Sequence, residues 1–207
     1  MTDVGRIGVF GASGSGKSAW VKQQIQGRGR VVVFDPMQEY QALGFKTVRK
    51  VDQVRLAMRD DWAGFRVAFV PAPGLERRDL SQLCNLLAKS QEHILNGGKG
   101  VPMTLVAEEL NLASSANGSC PGFADLCSRG RHYQIALIGV SQRIAEVSTR
   151  FRGNTTEAVI LRQRGSNDIK AASELLGIPR SEIEALGNLE YLHERRGEVT
   201  RGRLKFS

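Results

Sequence analysis

The stretch "GVFGASGSGKSAW" (residues 8–20) decides how this chain is read. A short apolar run ends in small residues alternating around glycine, and a lysine and a serine follow. Gly11, Ala12, Ser13, Gly14, Ser15, Gly16, Lys17 and Ser18 fit G-x-x-x-x-G-K-[ST] at every fixed position. Glycines let successive backbone N–H groups turn inward on a phosphate, and a helix N-terminus adds partial positive charge. Ile7, Gly8, Val9 and Phe10 predict a strand end before the loop, and residues 18–26 predict a helix start after it. In that setting Lys17 reaches the β- and γ-phosphates of ATP, and the Ser18 hydroxyl ligates Mg2+. A flexible glycine–serine turn is the plainer alternative, and the strand–loop–helix context favours nucleotide binding over it.

Working outward, 207 residues are enough for one sizeable α/β domain, so residues 1–207 read as a single domain. The composition, 41% hydrophobic and 24% charged, is that of a globular protein. No apolar run approaches the roughly 18 residues of a membrane span. The start "MTDVGRIGVF" carries an acid and runs straight into the first strand, which excludes a signal peptide; the expected location is cytoplasmic. Cys84, Cys120 and Cys127 lack C-x-x-C spacing, and they suit buried thiols in a reducing compartment better than a zinc site. The formal net charge is +8. Arg129, Arg131, Arg143, Arg150, Arg152, Arg162 and Arg164 stand against only Glu146 and Glu157 between residues 129 and 164. That excess reads either as a solvated basic surface or as contact with phosphates, of ATP or of a nucleic-acid backbone.

Strand-like and helix-like patterns alternate along the chain. "RVVVFD" (30–35), "FRVAFV" (65–70), "VPMTLVA" (101–107), "YQIALIGV" (133–140) and "EAVILR" (157–162) are apolar runs bounded by turn signals. Residues 80–95 and 168–177 have helical spacing and glycine stops. "LEYLHER" and "VTRGRLKF" predict a C-terminal β-hairpin. Strands apolar throughout, separated by helices, indicate a mostly parallel sheet with helices on both faces. The expected fold class is therefore α/β, and with the phosphate-loop motif it resembles a P-loop NTPase of the RecA-like, additional-strand (ASCE) kind.

Binding Mg-ATP is common to kinases, GTPases and motors, so the discriminating residues lie elsewhere. A guanine-reading N-K-x-D is absent, and the D-x-x-G at residues 61–64 follows no apolar strand. "MTLVAEEL" (103–110) is a strand ending in acids. In an additional-strand ATPase the first such acid holds Mg2+ through water and the second polarises the attacking water. Glu108 and Glu109 occupy those places, with Glu108 one methylene longer than the usual aspartate. A solvated acidic pair opening a loop is the alternative. The run at 130–143 brings a strand ending in Ser141 and Gln142, whose amide would sit beside the acid-bearing strand, within reach of the γ-phosphate or its water.

The whole segment "GRHYQIALIGVSQRIAEVSTRFRGNTTEAVILR" (130–162) resembles the HerA/FtsK superfamily of DNA-pumping ATPases. In that superfamily Gly-Arg precedes the strand, Ser/Thr-Gln-Arg ends it, and a "seVs" segment leads to an Asn and another strand ending in Arg. "VVVFDPMQEY" (31–40) also resembles the D-P-x-x-E-Y of HerA-like members, and the likeness runs in order from about Arg6 to Glu194. It implies that residues 11–18 form the phosphate loop, Glu108 is the Mg2+-side acid, Glu109 the catalytic base and Gln142 the sensor. Arg131 matches the arginine offered to a neighbouring subunit's ATP, with Arg129 the nearby alternative. Asp35 and Glu39 match the pattern without a role. The chain length leaves no room for the extra modules of longer members, so the likeness narrows to compact viral genome-packaging ATPases.

The expected function is an ATP-driven double-stranded DNA translocase that works as a homo-oligomeric ring. Such a motor packages a viral genome with capsid vertex proteins as possible partners. A DNA-export or segregation motor of the same superfamily, a nucleotide or small-molecule kinase, and a non-hydrolysing assembly protein are the alternatives.

Overall fold

The chain enters β1 (Arg6–Phe10), passes through the glycine-rich loop into α1 (Lys17–Ile25), and continues into β2 (Val31–Phe34). β3 (Lys46–Val48), α2 (Val51–Asp60) and β4 (Arg66–Phe69) come next, then α3 (Glu76–Ser90) and β5 (Met103–Ala107). α4 (Leu110–Ala113) and α5 (Pro121–Arg129) lead to β6 (Ile135–Ser141). α6 (Thr149–Asn154), β7 (Glu157–Leu161), α7 (Ser166–Leu176) and α8 (Arg180–Glu184) precede the hairpin of β8 (Glu190–Arg195) and β9 (Glu198–Arg203). This computed structural model describes residues 4–115, 118 and 120–205.

Among the described residues, nine strands join one sheet in the order β3-β4-β2-β5-β6-β1-β7-β8-β9. Strands β1 to β7 pair in parallel, and β8 alone is reversed, pairing antiparallel with β7 on one side and β9 on the other. The central strands are buried along their whole length, which explains why they read as continuous apolar runs. Their side chains alternate between two cores. Val32 and Phe34 face the larger one, with Leu80, Leu83, Phe123 and Phe151, while Val31 and Val33 face Trp20, Val21, Ile25 and Tyr40. Helices cover both faces, but unequally: α1 supplies the helical residues buried in the smaller core, together with Tyr40, Phe45 and Leu204.

Several boundaries differ from the sequence reading. The helix expected at 80–95 runs from Glu76 to Ser90, because Glu76 and Asp79 favour a first turn, and residues 92–96 form a separate 3-10 turn. α2 and α5 are additional. α5 had a readable signal in Pro121 at its first position and Phe123, Leu126 and Cys127 on one buried face. The expected hairpin is present as β8 and β9, and Phe206 at its end lies outside the described residues. All three cysteines are free and buried. Among the described residues no helix is long and apolar enough to cross a membrane.

Phe151 shows how tightly the larger core is shaped. Its ring lies over Gly139 in β6, where an added Cβ would stand 2.4 Å from it, and it packs against Phe123 at 5.5 Å between ring centroids. Phe151→Ala should lower the unfolding free energy by about 3–5 kcal/mol, read from urea denaturation, because the cavity adds to the lost transfer energy. A loss under about 1 kcal/mol would contradict this packing.

Candidate functional site

Four adjacent parallel strands deliver side chains to one pocket at their C-terminal ends. Ser13, Gly14, Lys17 and Ser18 follow β1, Asp35 and Glu39 follow β2, Glu108 and Glu109 follow β5, and Gln142 follows β6. The pocket is small and polar, about 110 Å³. A larger groove of about 530 Å³ between the start of α3, α4 and α5 lies away from these groups. Position at the carboxyl ends of parallel strands, rather than volume, marks the ligand site in this architecture.

The loop before α1 is built from backbone. The Gly11 N–H donates to the Ser141 carbonyl at 3.3 Å and the Ala12 N–H to the Arg162 carbonyl at 2.9 Å, tying the loop to the ends of β6 and β7. Gly16 has φ of 105°, and a Cβ there would meet Leu204 Cδ1 at 2.5 Å, so this position requires glycine both for conformation and for space. No side chain caps α1, which leaves its N-terminal N–H groups for an anion. The Ser15 hydroxyl is buried without a partner. Lys17 donates to the Ala12 carbonyl at 3.2 Å, one of the three bonds an ammonium can make. These features fit a polyphosphate, and the carboxyl groups opposite, with the Ser18 hydroxyl, fit its Mg2+.

β6 lies between β1 and β5, so the acid-bearing strand is one strand removed from the phosphate-loop strand. The strand ends at Ala107, and both acids stand in the turn beyond it rather than on the strand end. Glu109 has φ of 46°, which swings it out of line with Glu108. The Gln142 amide donates to Glu109 Oε1 at 2.7 Å, so the structure couples Gln142 directly to the second acid. Glu108 is buried and accepts a hydrogen bond from the Tyr40 hydroxyl at 2.5 Å on Oε1. Sequence reasoning gave Tyr40 no part in the site, although the segment that carries it stood out.

Electrostatics follow chiefly from burial. Burial lowers the Lys17 pKa, while the charges of Glu109, Glu108 and Glu39 oppose that fall. Burial also raises Asp35, against two backbone N–H bonds from Glu39 and Tyr40. Burial pushes the Glu108 carboxyl up to about 7, with the Tyr40 hydrogen bond opposing and Glu39, Glu109 and Asp35 adding to the rise.

The arginines expected to serve a neighbouring subunit's ATP lie away from this pocket. Arg131 is exposed on the turn before β6, at the opposite end of that seven-residue strand, roughly 23 Å of chain away from Gln142. Arg129 is equally remote and pairs with Asp125 across one helical turn, Nε to Oδ1 at 2.6 Å. Neither arginine reaches the phosphate loop of its own chain. Arg143 does stand at the pocket end of β6, where its Nε donates to the buried Asp168 at 2.7 Å and its Nη1 lies 3.2 Å from Glu146.

A carboxyl with an ordinary value of 4.5 that rises to about 7 on folding binds more protons in the folded state between those two values. Its contribution is therefore fully present below the lower value and is lost as pH rises through the upper one, by about 3 kcal/mol in all. In nucleotide-free protein with chelator, Glu108→Gln should gain stability relative to the wild type as pH goes from 4.5 to 8. Urea denaturation of both proteins across that range measures it. A difference independent of pH would contradict the buried carboxyl.

No protein-family model matches the chain. Protein P9 of Pseudoalteromonas phage PM2 is 23% identical over 188 residues, 85% of this chain and 82% of that protein. Among solved structures, the genome packaging NTPase B204 of Sulfolobus turreted icosahedral virus 2, in complex with ATP-gammaS, superposes over the full length of both chains. Its TM-score is 0.77 at 14% identity. VirB4 of Thermoanaerobacter pseudethanolicus covers 98% of this chain and 90% of its own, with a TM-score of 0.67 at 15% identity. The nine-stranded sheet, with its inserted strand between the phosphate loop and the acids, is thus the P-loop ATPase fold that B204 and VirB4 share.

Proposed function

We propose that this protein is an ATPase that drives double-stranded DNA into a viral capsid, acting as a homo-oligomeric ring with ATP at its subunit interfaces. The observation that carries the reading is the convergence of Lys17, Ser18, Glu108, Glu109 and Gln142 on one pocket, in a chain that matches B204 from end to end. The one sheet running from Arg6 to Arg203 supports taking residues 1–207 as one domain. Capsid vertex proteins and a cytoplasmic setting belong to the same reading.

The backbone N–H groups of residues 11–18 would cradle the phosphates, and Lys17 would neutralise charge on the β- and γ-oxygens. Ser18 and Glu108 would hold Mg2+, which when bound neutralises the charge that develops on the transferred phosphoryl group. Glu109 would take the proton of the attacking water, and Gln142 would hold its carboxylate in place through the 2.7 Å contact. Arg131 lies too far from its own pocket for a role there, which supports its use on a neighbour's ATP. An arginine supplied in trans is worth roughly a thousandfold or more in rate, and it makes hydrolysis conditional on assembly. The exposed Arg150 and Arg164 offer phosphate contacts that carry no base information, so DNA affinity should not depend on sequence.

Lys17→Ala should lose ATP binding, whereas Glu109→Gln should keep ATP and lose turnover by about a hundredfold or more. Equilibrium binding of a labelled ATP analogue and phosphate release, with and without duplex DNA, measure the two. Equal loss of binding in both variants overturns the assignment of Glu109 as base.

Arg131→Ala should bind ATP normally and hydrolyse it slowly. Mixed with Glu109→Gln it should regain part of the wild-type rate, because some interfaces then pair an intact Glu109 with a neighbour's intact Arg131. Hydrolysis measured against mixing ratio is the test, with Arg129→Ala run alongside. No recovery at any ratio, under conditions where wild-type rings form, overturns the role in trans.

A further inference from the structure

We infer that Tyr40 is a positioning residue for the metal-side acid. Its phenol fixes the Glu108 carboxyl in the orientation that Mg2+ requires, and the segment 35–40 is the clamp that sets the phenol there. This rests on the nucleotide reading given above.

Tyr40 is fully buried, and its hydroxyl donates to Glu108 Oε1 at 2.5 Å across 68 residues of sequence. Burial deprives a phenol of water, and the neighbouring carboxyl groups further disfavour its ionised form, so Tyr40 stays a donor. Two contacts hold the ring and one its backbone. It meets Phe45 edge-on at 5.4 Å, the Lys22 ammonium stands 5.4 Å from its centroid, and its own backbone N–H donates to Asp35 Oδ2 at 3.1 Å. Asp35 is itself buried at the end of β2, and its other oxygen takes the Glu39 N–H at 3.0 Å. One carboxylate thus closes a short loop by gripping two successive N–H groups, with Gln38 at φ of 59° making the reversal.

The loop therefore does more than fill the core. It presents one hydroxyl to one oxygen of the acid that lines the pocket, while Glu39 from the same loop lines the pocket beside it. A glutamate has one more rotatable bond than the aspartate usual at this place, and Tyr40 removes that freedom. Groups that orient a metal ligand in this way typically change metal affinity or activity by 10- to 100-fold when removed.

Tyr40→Phe deletes the hydroxyl and keeps the ring. Mn2+ uptake by the whole protein in the presence of a non-hydrolysable ATP analogue, followed by electron paramagnetic resonance, should weaken by about tenfold or more. The Mg2+ concentration for half-maximal ATP hydrolysis should rise in step, with KM for ATP at saturating Mg2+ little changed. In a Glu108→Gln background the same substitution should add little, since the carboxyl it positions is gone. Unchanged Mn2+ affinity in a folded Tyr40→Phe, or full additivity of the two substitutions, overturns the inference. Wild-type protein that takes up no Mn2+ with nucleotide overturns the nucleotide reading beneath it, and the two failures are told apart by the wild-type arm alone.

Discussion

Lys17 sits buried in a pocket that Asp35, Glu39, Glu108 and Glu109 also line, and this crowding governs the rest of the site. Like charges at such spacing repel, and burial makes the repulsion harder to screen. The arrangement persists because the sheet imposes it. Neighbouring parallel strands are about 4.8 Å apart, so residues just past their ends arrive together whatever their charge. Burial is the main cause of the raised Glu108 and Asp35 carboxyls and of the lowered Lys17 ammonium; the neighbouring carboxylates add to the rise at Glu108 and oppose the fall at Lys17. Perturbed groups gathered in a cleft mark a functional site with a physical reason, since a polyphosphate and a divalent cation would relieve both signs of strain at once.

The position of β6 turns that cluster into an ordered one. Because this strand stands between the phosphate-loop strand and the acid-bearing strand, Gln142 falls beside Glu109, and Arg143 falls beside Asp168 at the start of α7. Asp168 also accepts the Ala145 N–H at 3.1 Å, so the chain that leaves β6 is fastened to α7 within four residues of the pocket. Glu109 is thus linked to α7 by the Gln142 contact, the peptide bond from Gln142 to Arg143, and the Arg143–Asp168 ion pair. On the other flank, Leu204 and Leu189 pack beneath Gly16, and the Gln23 amide donates to the Lys205 carbonyl at 3.1 Å. The antiparallel hairpin thereby buttresses the loop that precedes α1, joining the two ends of the chain at the place where phosphate binding is expected.

Sequence alone determined the contiguous features. The eight residues of the glycine-rich motif are contiguous, running from the end of β1 into the first residues of α1, so local chemistry sets their geometry. The apolar strands, the parallel sheet and the terminal hairpin were equally legible, because period and turn chemistry act over a few residues. The sequence also placed Gln142 beside the acid-bearing strand, but tertiary structure decided which atoms meet. The contact between Tyr40 and Glu108 spans 68 residues, and that between Gln142 and Glu109 spans 33. Arg131, close in sequence to Gln142, lies on the turn before β6, because an extended seven-residue strand separates what enters it from what leaves it by the full depth of the sheet. Short-range patterns fix what each segment becomes, whereas the insertion of β6 between β1 and β5 is a long-range choice, and it settles which side chains meet.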